Sequence, residues 1–148
     1  MKKFIFKLET FLKISTLERE KAEIAMAAAV QNLFKQKEVL AALQKEMVEN
    51  LHEYEKTLAE RNVNAGMLQI YGDFFAWKRR QINLQQTAIR NAAAKREECL
   101  ANLLNAQKKV ESLEQLRQKR FEEYRYEAFA EEQKQIDEIG LQMHMRRA

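Results

Sequence analysis

The sequence predicts an all-α protein that folds as a long two-helix antiparallel coiled-coil hairpin. Its 148 residues include no proline and three glycines, whereas an average chain has roughly 5% proline and 7% glycine. Strong helix formers dominate, and strand-favouring runs of Val, Ile and Thr are missing. Apolar residues recur at heptad spacing in two stretches, one on each side of a short polar segment.

The first helix is predicted over about residues 5–60. One heptad row consists of Met26, Leu33, Leu40, Met47 and Tyr54. The second row consists of Val30, Lys37, Gln44, Leu51 and Leu58. Upstream of Met26 the apolar residues leave this frame, so a stutter is expected there.

A hinge is predicted over about residues 61–66, because two asparagines and Gly66 can supply the backbone angles that end one helix and begin another. The second helix follows over about residues 67–140, with a flexible tail at 141–148. Its heptad rows begin at Leu68 and Tyr71 and continue to Val110 and Leu113. All these elements are expected to form a single coiled-coil domain spanning residues 1–148.

A short connection makes the two helices antiparallel neighbours, with facing residue numbers that sum to about 129. This rule pairs Tyr54 with Phe75, and Gln44 with Gln85. The two glutamines would hydrogen-bond across the seam and disfavour slipped registers. Helix 1 has no residues left to pair beyond about Arg125, so the end of helix 2 is expected to project unpaired.

A second apolar stripe on helix 2 falls outside these heptad rows and is called the hinge-end patch. Its members recur at three- and four-residue steps: Met67, Ile70, Phe74, Trp77, Leu84 and Ala88. Leu43 and Val48 of helix 1 lie near the same end. An exposed aromatic patch indicates a docking site for another protein. Self-association, or a third helix packed in the same molecule, is the alternative.

The acidic residues between Glu127 and Glu138 are interleaved with Phe129, Ile136 and Ile139. The simplest interpretation is a solvated helix face. The apolar residues also allow docking on a basic surface, or packing against Phe4 and Leu8 of helix 1.

Composition argues against several classes of function. The 26 basic and 22 acidic residues are interleaved along the chain, which is unlike a nucleic-acid surface. His52 and His144 are far apart, and Cys99 falls on the seam, so no enzyme, cofactor or metal site is predicted. A single cysteine suits a reducing compartment, and no signal peptide or membrane span is expected. These features predict a cytoplasmic protein.

Three separated segments resemble the FliJ family, the coiled-coil component of the flagellar type III export ATPase complex. They are the amino end Phe6 to Leu12, the post-hinge segment Tyr71 to Phe75 with Ile82 and Gln85, and the carboxyl-terminal residues Leu116 to Phe121, Tyr124 and Glu131 to Ile139. The resemblance covers nearly the whole chain. It rests chiefly on the aromatic cluster after the hinge and on the acidic Asp137-Glu138-Ile139 ending.

The resemblance implies a non-catalytic stalk whose paired ends enter the export ATPase ring, while its hinge end faces the export gate in the membrane. Such a stalk would promote ring assembly and couple the ring to the gate, and family members are also implicated in handling export chaperones. The expected gate contacts are Leu43, Tyr71, Phe74, Trp77 and Lys78. The expected ring contacts are Phe11, Tyr124, Glu131, Glu132, Asp137 and Glu138. Membrane association would be peripheral, through these partners.

Three alternatives stay open beside this interpretation. One is the equivalent stalk of a type III injectisome. Another is a generic scaffolding coiled coil that forms symmetric dimers through the hinge-end patch. The last is a basic helix that binds membrane or nucleic acid through its lysine and arginine clusters.

Overall fold

The computed structural model describes residues 2–60 and 63–147. Two long helices account for most of them, α1 at Glu9–Ala59 and α2 at Ala65–Arg147. The helices pack against each other as an all-α hairpin, and no strand occurs in the described ranges. The predicted fold class is confirmed.

Helix α1 begins about one turn later than the sequence predicted. Residues 2–6 have no regular secondary structure, and the Glu9 N–H donates to the Phe6 carbonyl oxygen at 3.1 Å. Phe6 is 8% exposed and Phe4 is half-buried, whereas Ile5 between them is 80% exposed. This two-residue alternation is typical of extended backbone, which lets both phenylalanines face inward.

The start of α2 is set by an N-cap at Asn64. The Met67 N–H donates to Asn64 Oδ1 at 2.8 Å, and the Leu68 N–H donates to the Asn64 carbonyl oxygen at 3.2 Å. The helix therefore begins at Ala65, and Gly66 lies in its first turn instead of in the hinge. Two residues of the predicted hinge, Arg61 and Asn62, lie outside the described residues.

The carboxyl-terminal end of α2 extends past the predicted boundary near residue 140. Helix continues through Gly140 to Arg147, so residues 141–147 of the predicted tail are helical. A single glycine costs a helix only about 1 kcal/mol relative to alanine, which does not end it without a breaker beyond. Ala148 lies outside the described residues.

The chain forms two compact units. The terminal unit comprises Met1–Lys21 and Leu104–Ala148, and the hinge unit comprises Ala22–Leu103. The prediction of a single domain over residues 1–148 stays a prediction.

In the hinge unit, one predicted α1 row lies in the helix interface and the other does not. The row from Met26 to Tyr54 is buried or half-buried throughout. The second row lies one residue earlier than predicted, at Ala22, Ala29, Gln36, Leu43, Asn50 and Thr57. The predicted members Val30, Lys37, Gln44, Leu51 and Leu58 are exposed. The interface therefore follows the earlier frame, in which Ala29 is buried and Val30 is exposed.

The register of the hinge unit agrees with one predicted pair and contradicts another. The Tyr54 and Phe75 rings meet with centroids 5.5 Å apart, as predicted. Gln85 does not pair with Gln44, which is exposed. Instead, Gln85 Nε2 donates to the Gln36 side-chain oxygen at 2.7 Å and to the Gln36 carbonyl oxygen at 2.9 Å. The glutamine contact predicted from spacing therefore exists with a different partner.

The terminal unit has a small core in which Phe6, Ser15, Val110 and Ala128 are buried. Ion pairs border it, with Arg117 Nε 3.0 Å from Glu9 Oε2 and Lys109 Nζ 3.5 Å from Glu18 Oε2.

The stutter predicted upstream of Met26 is absent from α1. Leu12, Ser15 and Arg19 are buried or half-buried, and they continue the three- and four-residue spacing of Ala22 and Met26. The heptad frame that includes Ala22 and Ala29 therefore extends without a break back to Leu12.

Candidate partner-binding surfaces

The hinge-end patch lies on α2 in the hinge unit and is largely open to solvent. Ile70 is 70% exposed, Trp77 is 48% exposed and Leu84 is 65% exposed. Seven-residue spacing places these three side chains on the same helix face. Helix geometry thus presents an apolar row that the packing of the hinge unit leaves uncovered.

Aromatic rings connect the hinge-end patch to the interior of the hinge unit. The Phe74 ring lies 6.3 Å from Trp77 and 5.6 Å from Phe75, centroid to centroid. Tyr71 lies 4.8 Å from Tyr54 of α1. The structure therefore brings Tyr71, Phe74 and Trp77 into one chain of ring contacts. Leu43 is half-buried in the second row of α1.

Lys78, an expected gate contact, is buried in the seam. It is 5% exposed, and its Nζ pairs with Glu46 Oε2 on α1. The same nitrogen lies 6.0 Å from the centroid of the Trp77 ring. Lys78 is thus placed to hold α1 and the Trp77 ring together, and little of its side chain is available for direct contact with a partner.

In the terminal unit, the amino-terminal residues lie against α2 around Tyr124. The Tyr124 hydroxyl donates to the Lys2 carbonyl oxygen. The Phe4 ring contacts Phe121 at 5.3 Å and Tyr124 at 5.5 Å, centroid to centroid, and Arg117 lies 5.9 Å from the Phe4 ring. The side chain of Tyr124 is therefore half-buried under residues 2–4.

Phe11 is separated from the other expected ring contacts. It is 48% exposed, and Lys109 Nζ lies 5.1 Å from its ring centroid. At 1.5 Å per residue, Tyr124 lies about 22 Å farther along α2 than Lys109. Phe11 and Tyr124 thus occupy different parts of the terminal unit.

The four expected acidic contacts lie together on the part of α2 that we call the C-terminal extension, residues 129–147. Every residue of this extension is exposed. Glu131 borders a cleft that Lys2 and Lys3 also line, whereas Glu132 borders a groove beside Tyr124. Asp137 accepts a hydrogen bond from Gln133 at 3.1 Å, and Glu138 is solvent-exposed.

The apolar residues of the C-terminal extension are not packed against the start of the chain. Phe129, Ile136 and Ile139 are 62%, 61% and 57% exposed. Phe4 instead contacts aromatic residues that precede the extension on α2. The alternative in which the acidic end packs on Phe4 and Leu8 is therefore wrong.

Sequence reasoning missed several residues that organise these surfaces. Glu46 was not singled out, although it pairs with Lys78, and Gln36 was not identified as the partner of Gln85. The role of Lys2 depends on its backbone carbonyl, which no sequence pattern reveals. The alternation of Phe4 and Phe6 with charged or exposed neighbours was the signal that could have identified an extended amino-terminal segment.

Two further observations concern catalysis and membranes. Within residues 2–60 and 63–147, no group of three or more His, Cys, Asp or Glu side chains is arranged to hold a metal ion. Cys99 is buried. No helix in the described part of the chain is long and apolar enough to cross a membrane.

Comparison with known families gives a match over almost the full length. The family model described as flagellar FliJ protein matches residues 3–148. No curated protein and no solved structure matches the chain. The match includes both surfaces described above.

Proposed function

This chain belongs to the FliJ family, whose members are components of flagellar protein export, and we propose that it is the non-catalytic stalk of the export ATPase complex. In this role it promotes assembly of the ATPase ring and couples the ring to the export gate. Handling of export chaperones is a further proposed activity. The proposed location is the cytoplasm, at the inner face of the cell membrane, with peripheral attachment through these partners.

One observation carries the ring-binding part of the proposal. The C-terminal extension is helical and exposed over its whole length, and it combines carboxylates with an apolar stripe. Phe129, Ile136 and Ile139 lie in water in the free chain, so their burial by a partner lowers the free energy of the complex. Glu131, Glu132, Asp137 and Glu138 favour a partner with a basic surface. An ATPase ring that receives this extension would bury both features.

The gate-binding part of the proposal depends on the hinge-end patch. Trp77 and Phe74 are the type of aromatic residues that dominate protein interfaces, and Ile70 and Leu84 extend their apolar surface. Tyr71 supports the patch through the Phe75 ring, and Leu43, half-buried on α1, is a further proposed gate contact. Lys78 acts as a positioning residue, because it is buried and paired with Glu46.

The test measures ATP hydrolysis and sedimentation of the cognate export ATPase with and without an equimolar amount of this chain. A stalk that promotes ring assembly should act on both quantities. We expect faster hydrolysis and a shift of the ATPase towards the assembled ring. A variant shortened after Ala128 is the matched control, because it lacks the C-terminal extension and retains the described amino-terminal contacts.

The outcomes separate the candidate functions. Loss of both effects in the shortened variant supports ring binding through the extension. If the full chain changes neither hydrolysis nor sedimentation, the ring role is wrong and a scaffold or chaperone-handling coiled coil is the better account. A stalk of a type III injectisome would act on an injectisome ATPase in preference to the flagellar one.

A further inference from the structure

The C-terminal extension has a pattern that the ring proposal does not use: it is complementary to itself. Phe129, Ile136 and Met143 recur at seven-residue spacing, and Ile139 lies on the same face. All four side chains are between 57% and 62% exposed. Together they form an apolar row of the kind that one helix buries against another, with Glu132 as its one charged position between Phe129 and Met143.

Charge is distributed unequally along this row. Glu132 lies on the apolar face near its start, and Arg146 and Arg147 lie on or beside the same face at its end. A parallel partner with the same sequence would place like charges together. An antiparallel copy would place the carboxylate of each chain beside the arginines of the other.

We propose that the C-terminal extensions of two copies pair as antiparallel helices around a two-fold axis. In the register that matches heptad rows, Ile136 of each copy faces Ile139 of the other. Glu132 then faces Met143 of the second copy and lies about one helical turn from its Arg146 and Arg147, while Phe129 faces the alkyl part of Arg146. Two-fold symmetry makes every such contact twice.

The occupant is a second copy because the apolar row, the length and the terminal charges of the extension each match those of an antiparallel copy. Nineteen exposed residues give a helix about 28 Å long, and each copy supplies a complete apolar row and its own charge complement. An interface of this size lies at the lower limit for specific association, so we expect pairing only at high protein concentration. The dimer forms from chains that have no other partner, and in it each extension covers the apolar row of the other.

Sedimentation equilibrium of the full chain between micromolar and hundreds of micromolar concentration tests the proposal. We expect a monomer at the lower limit and a dimer at the upper limit. Glu132→Arg alone, and Arg146→Glu with Arg147→Glu, should each weaken the dimer about tenfold because like charges then meet. The triple variant that combines them should restore it, since the complementarity returns with its sign reversed. Glu111→Arg, an exposed charge change outside the extension, should have no effect.

A second variant set tests the apolar row. Ile136→Asp with Ile139→Asp should abolish the dimer, whereas Leu84→Asp in the hinge-end patch should leave it unchanged. Circular dichroism confirms that each variant stays helical. A monomer at every concentration overturns the proposal, as does a dimer lost in Leu84→Asp or one that the triple charge change fails to restore. None of these measurements involves the ATPase, so failure here is distinct from failure of the proposed function.

Discussion

Tyr124 near the carboxyl-terminal end of α2 donates its hydroxyl hydrogen bond to the backbone carbonyl of Lys2, 122 positions earlier in the chain. Together with the contacts of the Phe4 ring, this bond holds the extended amino-terminal residues against α2. The amino-terminal end of the chain is thereby held at the base of the C-terminal extension.

Removing this attachment should free the amino-terminal residues while leaving the helices folded. Tyr124→Phe keeps the ring and loses the hydrogen bond, so we expect a loss of about 0.5–1.5 kcal/mol. Phe4→Ala loses the ring contacts as well as apolar burial and should cost more, about 1–3 kcal/mol. Amide exchange of residues 2–8 should accelerate in both variants. Unchanged exchange in Phe4→Ala would show that these contacts do not hold the segment.

The register of the hinge unit can be tested by comparing two glutamines on the same helix. Gln36→Ala removes the side-chain acceptor for Gln85 and leaves only the backbone carbonyl of residue 36, which should cost about 0.5–1.5 kcal/mol. Gln44→Ala changes an exposed residue and should alter stability by less than about 0.5 kcal/mol. Chemical denaturation measures both. Equal costs, or a larger cost at Gln44, would favour the register predicted from spacing alone.

Heptad spacing predicted one of the two α1 rows correctly and placed the other one residue too late. Composition was enough for the all-α hairpin, and one row from Met26 to Tyr54 was correct because its members are apolar without exception. The second row was misplaced because Val30, Leu51 and Leu58 are more hydrophobic than the residues that precede them, Ala29, Asn50 and Thr57. Hydrophobicity favoured the later frame, whereas the helix interface covers the residues one position earlier. Packing between the two helices decides between these frames, and the residue pattern of one helix carries no information about that packing.

The surfaces were predictable to different degrees for the same reason. Exposure of the hinge-end patch followed from a surplus of apolar residues beyond those of the seam. The pairing of Lys78 with Glu46 depends on which residues of α1 lie opposite, so it required the register. The extended start of the chain depends on aromatic contacts with residues more than 110 positions away, beyond the reach of local propensity.

The Lys78 and Glu46 pair should respond unequally to loss of either member. Glu46→Ala leaves a buried ammonium group without its carboxylate, and we expect a loss of about 1–3 kcal/mol, limited because Glu46 itself is 57% exposed. Lys78→Met replaces the buried charge with an apolar side chain of similar length, so stability should change by less than about 1 kcal/mol. Thermal unfolding gives both values. A greater loss in Lys78→Met would mean that the charge itself stabilises the seam.

Trp77 is the only tryptophan in the chain and reports on this pair directly. Because Lys78 Nζ lies 6.0 Å from its ring centroid, Lys78→Met should change the intensity of the tryptophan emission. Arg90→Met, which alters an exposed cation elsewhere on α2, is the matched control.

Ser15 offers a position where substitution should increase stability. Its side chain is 2% exposed, and its hydroxyl oxygen has no hydrogen-bond partner among the described residues. Ser15→Ala removes the buried hydroxyl and introduces a better helix former, so we expect a gain of about 0.5–1.5 kcal/mol. Thermal or chemical unfolding measures it, with exposed Ser112→Ala as the control for helix propensity alone. A loss of stability at Ser15 would indicate a hydrogen bond to the hydroxyl in solution.

The two proposed partner surfaces should be separable by mutation. Phe74→Ala with Trp77→Ala removes aromatic contact area from the hinge-end patch, and we expect at least tenfold weaker binding to the export gate with unchanged binding to the ATPase ring. Glu131→Lys with Glu132→Lys reverses charge on the C-terminal extension and should weaken ring binding while gate binding persists. Both are measured below micromolar concentration, where paired extensions would be dissociated. Parallel loss at both partners in either variant, with normal helicity, would mean that the surfaces do not act separately.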